Sequence, residues 1–182
     1  MSRKEPPIIE TERLTLRPFT MNDAGDVFEY ASDPEWGRYL VNIPQPFTFK
    51  EAEEFVERFS NLASCHKVPM FAIVLNGKVI GEIYLNDLDI KNKRAELGYS
   101  LSRSYWGKGL TPEAAHAIIK WAFQTYDLNK IYSTCDPRNE LSLRVLEKLG
   151  MKQEGLLRSH INWQGEVRDV AYYGILRDEW EG

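Results

Sequence analysis

Apolar and polar positions alternate with two different periods along the 182 residues of this chain. A period of two residues is typical of a strand with one buried face. It is clear in the ranges 11–19 and 95–101. Short apolar or β-rich runs next to turn signals predict further strands at 70–75, 78–88, 130–135, 151–158 and 167–176. Apolar residues spaced three or four apart indicate helices. They occupy the ranges 20–31, 48–62, 111–125 and 139–149.

Local signals fix several boundaries between these elements. Asn76-Gly77 is a strong hairpin signal, and Thr48 with Glu51 forms the capping box of a helix. Asn139 is a good helix N-cap, and Gly150 closes the same helix. Some strands are thus joined by hairpins and others by helices. We therefore expect an α/β fold with a mixed sheet of six or seven strands and about four helices, in a single domain over residues 1–182.

A glycine loop follows the strand 95–101. Trp106-Gly107-Lys108-Gly109 precedes Thr111-Pro112-Glu113, where we expect Thr111 to cap the helix and Pro112 to be its first residue. Backbone N–H groups and the positive helix end then face one point, and Lys108 adds a charge. The sequence predicts a phosphate or pyrophosphate at residues 106–111, although a plain tight turn would give the same Gly-x-Gly.

Two familiar nucleotide sites do not match this loop. A dinucleotide fold requires a third small residue where Pro112 stands, and parallel rather than antiparallel strands before the loop. The nucleoside triphosphatase loop requires Gly-Lys followed by Ser or Thr, which the chain lacks. A different nucleotide-containing ligand is therefore favoured.

Composition narrows the class of protein further. Hydrophobic residues make up 43% and charged residues 27%, as in soluble globular proteins. The net charge of −4 argues against a nucleic-acid partner, and without a long apolar run we expect neither a signal peptide nor a membrane partner. Cys65 and Cys135 indicate neither a metal pair nor a disulfide scaffold. We expect a cytoplasmic protein without a metal.

Glu96 is a candidate general base. It shares a strand face with Gly98 and Ser100, and the glycine would leave room for a ligand beside the carboxylate. A carboxylate beside a bound ligand can accept a proton from that ligand directly or through water. The alternatives are a solvated acid at a sheet edge and an ion-pair partner for Arg94.

Other polar residues have two interpretations each. The hydroxyl of Ser142 faces the apolar stripe of its helix, where it needs a hydrogen-bond partner. That partner is either a bound ligand or the backbone near Asn139. Cys135 is either an inert core residue or an acyl carrier, and His160 could be a second base. The proline-rich stretch 32–47 is either packing or one wall of a substrate cleft, with 159–168 as the other wall.

The chain resembles the Gcn5-related N-acetyltransferases. Glu96-Leu-Gly-Tyr-Ser-Leu and Tyr105-Trp-Gly-Lys-Gly-Leu-Thr-Pro-Glu-Ala-Ala are similar to their acetyl-CoA signature. The ranges 11–19, 139–151 and 154–158 resemble the branch that acetylates the N-terminal alanine or serine of ribosomal proteins. The resemblance spans nearly the whole chain. Ser104 departs from it, because the superfamily often has Arg or Gln there.

The resemblance assigns roles to individual residues. Asn139 would contact the pantetheine or adenosine side of acetyl-CoA, and the Ser142 hydroxyl would lie near its sulfur. The pantetheine arm would pair like a strand with the backbone of Tyr99, Ser100 and Leu101. The pyrophosphate would be held by N–H groups of Trp106, Gly107, Lys108, Gly109, Leu110 and Thr111.

The activity implied is transfer of acetyl from acetyl-CoA to a primary amine by direct attack in a ternary complex. Glu96 would act as the base, Ser142 would assist the departing thiolate, and an amide near Tyr99 would polarise the carbonyl. The branch indicates the N-terminus of a ribosomal or other protein as acceptor. The alternatives are a small amine (polyamine, antibiotic or amino acid) and a non-catalytic acyl-CoA-binding module. Both a monomer and a homodimer are compatible with the sequence.

Overall fold

The computed structural model describes residues 7–40, 43–44, 46–64, 68–163 and 165–182. Its strands are β1 (Ile9–Glu10), β2 (Thr15–Arg17), β3 (Met70–Leu75), β4 (Lys78–Asp89), β5 (Arg94–Leu101), β6 (Lys130–Cys135), β7 (Lys152–Trp163) and β8 (Glu166–Leu176). Its helices are α1 (Ala24–Ala31), α2 (Phe49–Ser64), α3 (Leu110–Tyr126) and α4 (Glu140–Lys148). Within these residues no helix is both long and apolar enough to cross a membrane.

The eight strands form one mixed sheet in the order β1-β2-β3-β4-β5-β6-β8-β7. Neighbouring strands are antiparallel except β5 and β6, which are parallel and joined through α3. A parallel pair needs a long crossover, and a helix supplies it. The predicted mixed sheet, its single βαβ unit and its four helices are therefore confirmed.

A separate apolar core covers each face of the sheet. One contains Leu97, Ile118 and Leu146, and so lies between the sheet and helices α3 and α4. The other contains Val27, Val56 and the alternating β3 residues such as Ala72, between the sheet and helices α1 and α2. Because side chains alternate across a strand, neighbouring residues of β5 project toward different helix layers.

The N-terminal strand and the last hairpin differ from the expectation. The range 11–19 contains only the short β2, and β1 precedes it, since the chain turns between them with the N–H of Leu14 donating to the Thr11 hydroxyl (2.9 Å). This division gives eight strands instead of six or seven. Strand β7 runs on to Trp163 because it stays paired with β8, with irregularities between Gln153 and Gly155 and between Leu157 and Ile161.

Candidate active site

The parallel strands β5 and β6 separate soon after they meet. Only the pairs Arg94–Lys130, Ala95–Ile131 and Glu96–Tyr132 join them. Beyond these pairs, residues 97–101 pair with β4 alone and residues 133–135 with β8 alone. The facing edges of the two strands are thus left open. An extended chain that carries amides can pair with such an edge as an added strand.

The glycine loop lies at the far end of β5. Gly107 and Gly109 have φ of 74° and 75°, the left-handed region that favours glycine. Gly109 is itself the N-cap, so α3 begins at Leu110 rather than after a Thr111 cap. That boundary prediction was wrong, because the left-handed glycine turns the chain into the helix two residues before Thr111. The indole N–H of Trp106 donates to the Leu101 carbonyl (2.6 Å) and supports the loop.

The N-terminal segment fastens this loop to the start of α3. Glu113, in the first turn of the helix, accepts hydrogen bonds from the Thr11 hydroxyl (2.6 Å) and from the N–H of Arg13 (2.8 Å). The Arg13 guanidinium contacts Glu113 at 2.6 Å and donates to the carbonyl of Lys108 at 3.0 Å. These contacts lower the pKa of Glu113, although partial burial opposes them. Thr11 and Arg13 thus hold the glycine loop in place.

A first cavity, of about 510 Å³, lies between this loop and α4. Its lining includes nine of the ten residues predicted to bind the cofactor: Tyr99, Ser100, Leu101, Trp106, Gly107, Gly109, Leu110, Thr111 and Asn139. Ser142 lines it too. The cations along its wall are Arg38, Arg138, Arg144 and Lys148, against the acids Glu35 and Glu140. Lys108 is the exception, because its ammonium lies over the Tyr105 ring, 5.0 Å from the ring centroid.

Asn139 and Ser142 act first as parts of a helix start. The side-chain oxygen of Asn139 accepts from the N–H of Ser142 (3.2 Å), so Asn139 is the N-cap of α4 as predicted. The Ser142 hydroxyl is then available elsewhere, and its oxygen lies 2.9 Å from the Tyr99 hydroxyl. Burial raises the pKa of Tyr99 well above its usual range, so this phenol keeps its proton at neutral pH.

Glu96 lies on the floor of a second cavity, of about 740 Å³. Its carboxylate accepts a hydrogen bond from the Thr134 hydroxyl at 2.6 Å. Burial raises its pKa, the Thr134 hydrogen bond opposes the rise, and the nearby charge of Asp87 adds to it. Thr134 is therefore the partner of Glu96, and the alternative of an ion pair with Arg94 is wrong, because Arg94 instead pairs with Asp87 and Asp89.

Gly98 does not leave space for a ligand. A Cβ at this position would lie 2.2 Å from the ring of Tyr84, which stands opposite Gly98 on β4. The space beside Glu96 that the sequence indicated is thus filled by the Tyr84 side chain. Gly98 allows the Tyr84 ring to lie close against β5, and Tyr84 becomes part of the cavity lining.

A buried polar network lies under the end of β5. Glu82 accepts from the hydroxyls of Tyr30 (2.8 Å) and Ser100, and the Ser100 oxygen accepts from the indole N–H of Trp36 (3.1 Å). All four residues are buried. Burial raises the pKa of Glu82 to about 7, although both hydrogen bonds oppose the rise. The network joins α1 and Trp36 to the strand that borders both cavities.

The two cavities meet at a common set of residues: Tyr39, Leu40, Tyr99, Asn139 and Ser142. Cys135 lines the second cavity as well, and burial raises the pKa of its thiol to about 11, so the thiolate needed by an acyl carrier is not favoured. Glu96 and the shared residues therefore surround one place where two ligands could react.

Only one of the two predicted cleft walls is present. Residues of the range 32–47, including Tyr39 and Phe47, line the cavities, although Trp36 and Phe47 also belong to the core. None of the described residues of the range 159–168 lines either cavity, because this range forms the outer hairpin. His160 therefore lies away from the site. Cys65 and His66 fall outside the described residues.

Comparison with known proteins identifies the family. A model of the acetyltransferase (GNAT) domain matches residues 13–152. The chain belongs to the GNAT acetyltransferase family. It is 37% identical over 175 residues to the uncharacterized N-acetyltransferase p20 of Bacillus licheniformis, covering 94% of this chain and 97% of p20.

Two further GNAT proteins are similar along most of their length. YdaF of Bacillus subtilis (strain 168), named provisionally as a ribosomal N-acetyltransferase, is 34% identical over 178 residues, which are 94% of this chain and 95% of YdaF. A crystal structure of a GNAT-family acetyltransferase from Bacillus anthracis has a TM-score of 0.84 at 32% identity, over 95% of this chain and 100% of that chain.

The protein is an acetyl-CoA-dependent N-acetyltransferase of the GNAT family, and its site fits that donor. The open edge of β5 suits an amide-bearing arm, and the glycine loop with the cations of α4 suits phosphates. Acetyl-CoA supplies the acetyl group as a thioester. In the part of the chain that the structure describes, no cluster of three or more His, Cys, Asp or Glu could hold a metal ion.

Several contributors to the site were missed from the sequence. Thr134 was not indicated, because it lies on a different strand from its partner Glu96. Tyr99 was predicted to contact the donor through its backbone, but the contact of its hydroxyl with Ser142 was not. The pair Arg13–Glu113 joins residues 100 positions apart. The spacing of Arg144 and Lys148, one helical turn apart, was a local signal that could have indicated the cationic wall of the first cavity.

Proposed function

We propose that this GNAT protein acetylates a primary amine held in the second cavity, by direct attack on acetyl-CoA held in the first. One observation carries the proposal: the two cavities meet at Tyr99, Asn139 and Ser142, and Glu96 lines the second cavity close to that junction. A protein N-terminal amine is the acceptor we favour, and its support is the likeness to YdaF over nearly the full length of both chains.

In this proposal the donor is held mainly by backbone groups. The open edge at Tyr99, Ser100 and Leu101 would pair with the pantetheine arm. The amides from Trp106 to Thr111 would hold the pyrophosphate at the positive end of α3, whose first N–H groups have no partner within the helix. Asn139 would contact the pantetheine or adenosine side of the donor.

Glu96 would remove the proton that the acceptor ammonium carries. Burial raises the pKa of Glu96 and so brings it nearer to the pKa of an amine. The smaller difference between the two pKa values eases the proton transfer at neutral pH. Ser142 would assist the departing thiolate, and Tyr99 is within hydrogen-bond distance of Ser142 to restore its proton. A backbone amide near Tyr99 would polarise the thioester carbonyl.

A small-molecule amine is the second candidate acceptor. The second cavity, of about 740 Å³, has the size of a typical small-molecule site. Aromatic side chains line much of it, which is also usual for such sites.

Calorimetric titration with acetyl-CoA, with NADH as the control nucleotide, tests the donor. We expect micromolar binding of acetyl-CoA, about −8 kcal/mol, and none of NADH. Thiol release against panels of peptides and small amines then tests the acceptor. If acetyl-CoA binds but no amine is acetylated, a non-catalytic acyl-CoA-binding module would explain the chain better.

Substitution of Glu96 tests the base. Glu96→Gln should lower kcat by roughly 10²-fold to 10⁴-fold while acetyl-CoA binds as tightly as before. Glu147→Gln, at an exposed position of α4 outside both cavities, is the matched control and should behave as wild type. Undiminished turnover by Glu96→Gln would show that another group takes the proton.

A further inference from the structure

The charges around the acceptor cavity are mostly compensated. Among the described residues the charged side chains that line it are Glu51, Glu54, Arg58, Glu82, Glu96 and Asp136. By formal charge alone this set is acidic and would suit a polycation. Each carboxylate must therefore be examined for a partner before its charge is counted toward an acceptor.

Two of these acids, Glu51 and Asp136, already have partners within the protein. Glu51 accepts from the N–H of Thr48 and so caps α2. Asp136 pairs with Arg138 (2.8 Å) and Arg168 (3.4 Å). Their charges are unavailable to a ligand, because a second cation would have to compete with contacts already made.

Glu82 adds little negative charge either. It is buried and accepts from Tyr30 and Ser100, and its raised pKa of about 7 leaves it partly protonated at neutral pH. Glu54, at the exposed rim, pairs with Lys50 at 3.4 Å. The Thr134 hydroxyl that bonds Glu96 is neutral, so Glu96 keeps its charge for one ammonium group.

The remaining charge and surface oppose a second ammonium. Arg58 is a cation on the wall of the cavity. Beside it, Phe55 and Phe59 pack edge to face with ring centroids 4.4 Å apart, and Phe19 supports both from behind. Both phenylalanines are only partly buried and line the cavity. Further apolar lining comes from Tyr39, Ile43, Phe47, Val68, Met70 and Tyr84.

We propose that the acceptor is a primary monoamine with an aromatic or other bulky apolar group next to its nitrogen, and that polyamines are poor acceptors. Glu96 receives the single ammonium, and the wall of Phe55 and Phe59 receives the apolar group. A free amine and the first residue of a polypeptide share this chemistry. The inference rests on the proposed function, because it takes the second cavity as the acceptor site.

Four acceptors at one acetyl-CoA concentration test it by thiol release. They are 2-phenylethylamine, spermidine, and two peptides that differ only in beginning with Phe or with Ser. Burial of a phenyl ring should raise kcat/KM roughly 10-fold to 100-fold for phenylethylamine over spermidine, and for the Phe peptide over the Ser peptide. If phenylethylamine has a higher kcat/KM than the Phe peptide, the acceptor is a free amine. If the Phe peptide has the higher value, the acceptor is the first residue of a polypeptide.

Variants of α2 connect the preference to the wall. Phe55→Ala should lower kcat/KM for the aromatic acceptor roughly 10-fold, and by much less for the Ser peptide. Phe49→Ala is the control, because Phe49 lies on the same helix, packs on Phe28 and does not line the cavity. Arg58→Glu, an exposed change that should not disturb folding, should raise kcat/KM for spermidine roughly 3-fold to 10-fold.

The outcomes separate this inference from the function on which it rests. Acetylation of spermidine in preference to phenylethylamine and the Phe peptide would overturn the inference and leave the transferase proposal intact. Equal rates with the Phe and Ser peptides, unaffected by Phe55→Ala, would overturn it as well. If no amine releases thiol although acetyl-CoA binds, the proposed function fails and the inference falls with it.

Discussion

The buried carboxyl of Glu82 should make the stability of this protein depend on pH. Glu82 lies between α1 and the strand that borders both cavities, with hydrogen bonds from Tyr30 and Ser100. The perturbation is Glu82→Gln, which has nearly the same shape. The carboxamide oxygen can accept from Ser100, and its NH₂ can donate to the oxygen of Tyr30, so the network keeps both contacts.

The magnitude follows from the two pKa values of Glu82. In the folded protein the pKa is about 7, whereas its ordinary value is 4.5. Between these pH values the unfolded chain binds fewer protons than the folded protein, so the free energy of unfolding falls as the pH rises. The whole gap corresponds to about 3 kcal/mol, most of which falls between pH 5 and pH 8.

Urea unfolding of wild type and Glu82→Gln at pH 5 and pH 8 measures this effect. It is done without acetyl-CoA, because a ligand would shift both stabilities. Wild type should lose roughly 2–3 kcal/mol relative to the variant between the two pH values, since all other titrating groups are common to both. A difference between the proteins that is the same at pH 5 and pH 8 would refute a protonated, buried Glu82.

The contacts of the glycine loop and of Gly98 give two further predictions. Arg13→Met removes an ion pair that is partly exposed and a hydrogen bond to a loop carbonyl, so KM for acetyl-CoA should rise roughly 5-fold with kcat unchanged. A fall in kcat alone would contradict a positioning role. Gly98→Ala places a methyl against the Tyr84 ring and should cost about 1–3 kcal/mol of stability in urea unfolding. An unchanged midpoint would show that the ring moves freely.

Signals within a few residues of each other were readable from the sequence. The Asn76-Gly77 hairpin has positive φ at both residues, the Thr48–Glu51 capping box forms, and Asn139 caps α4. Each of these features forms within one short segment, so it can be predicted without knowing how the rest of the chain packs. The mixed sheet followed from the order of these segments. The glycine loop likewise indicated an anion site, although not the residue at which its helix begins.

The site itself depends on contacts between distant segments, which no local pattern contains. The sequence determined that a carboxylate would stand at position 96 on one face of β5. Only the folded chain decided that Thr134 bonds it, that Tyr84 fills the space at Gly98, and that Arg13 reaches the glycine loop. A strand pattern specifies which face a side chain takes but not what covers that face, because the covering residues come from other strands and helices whose packing is settled together.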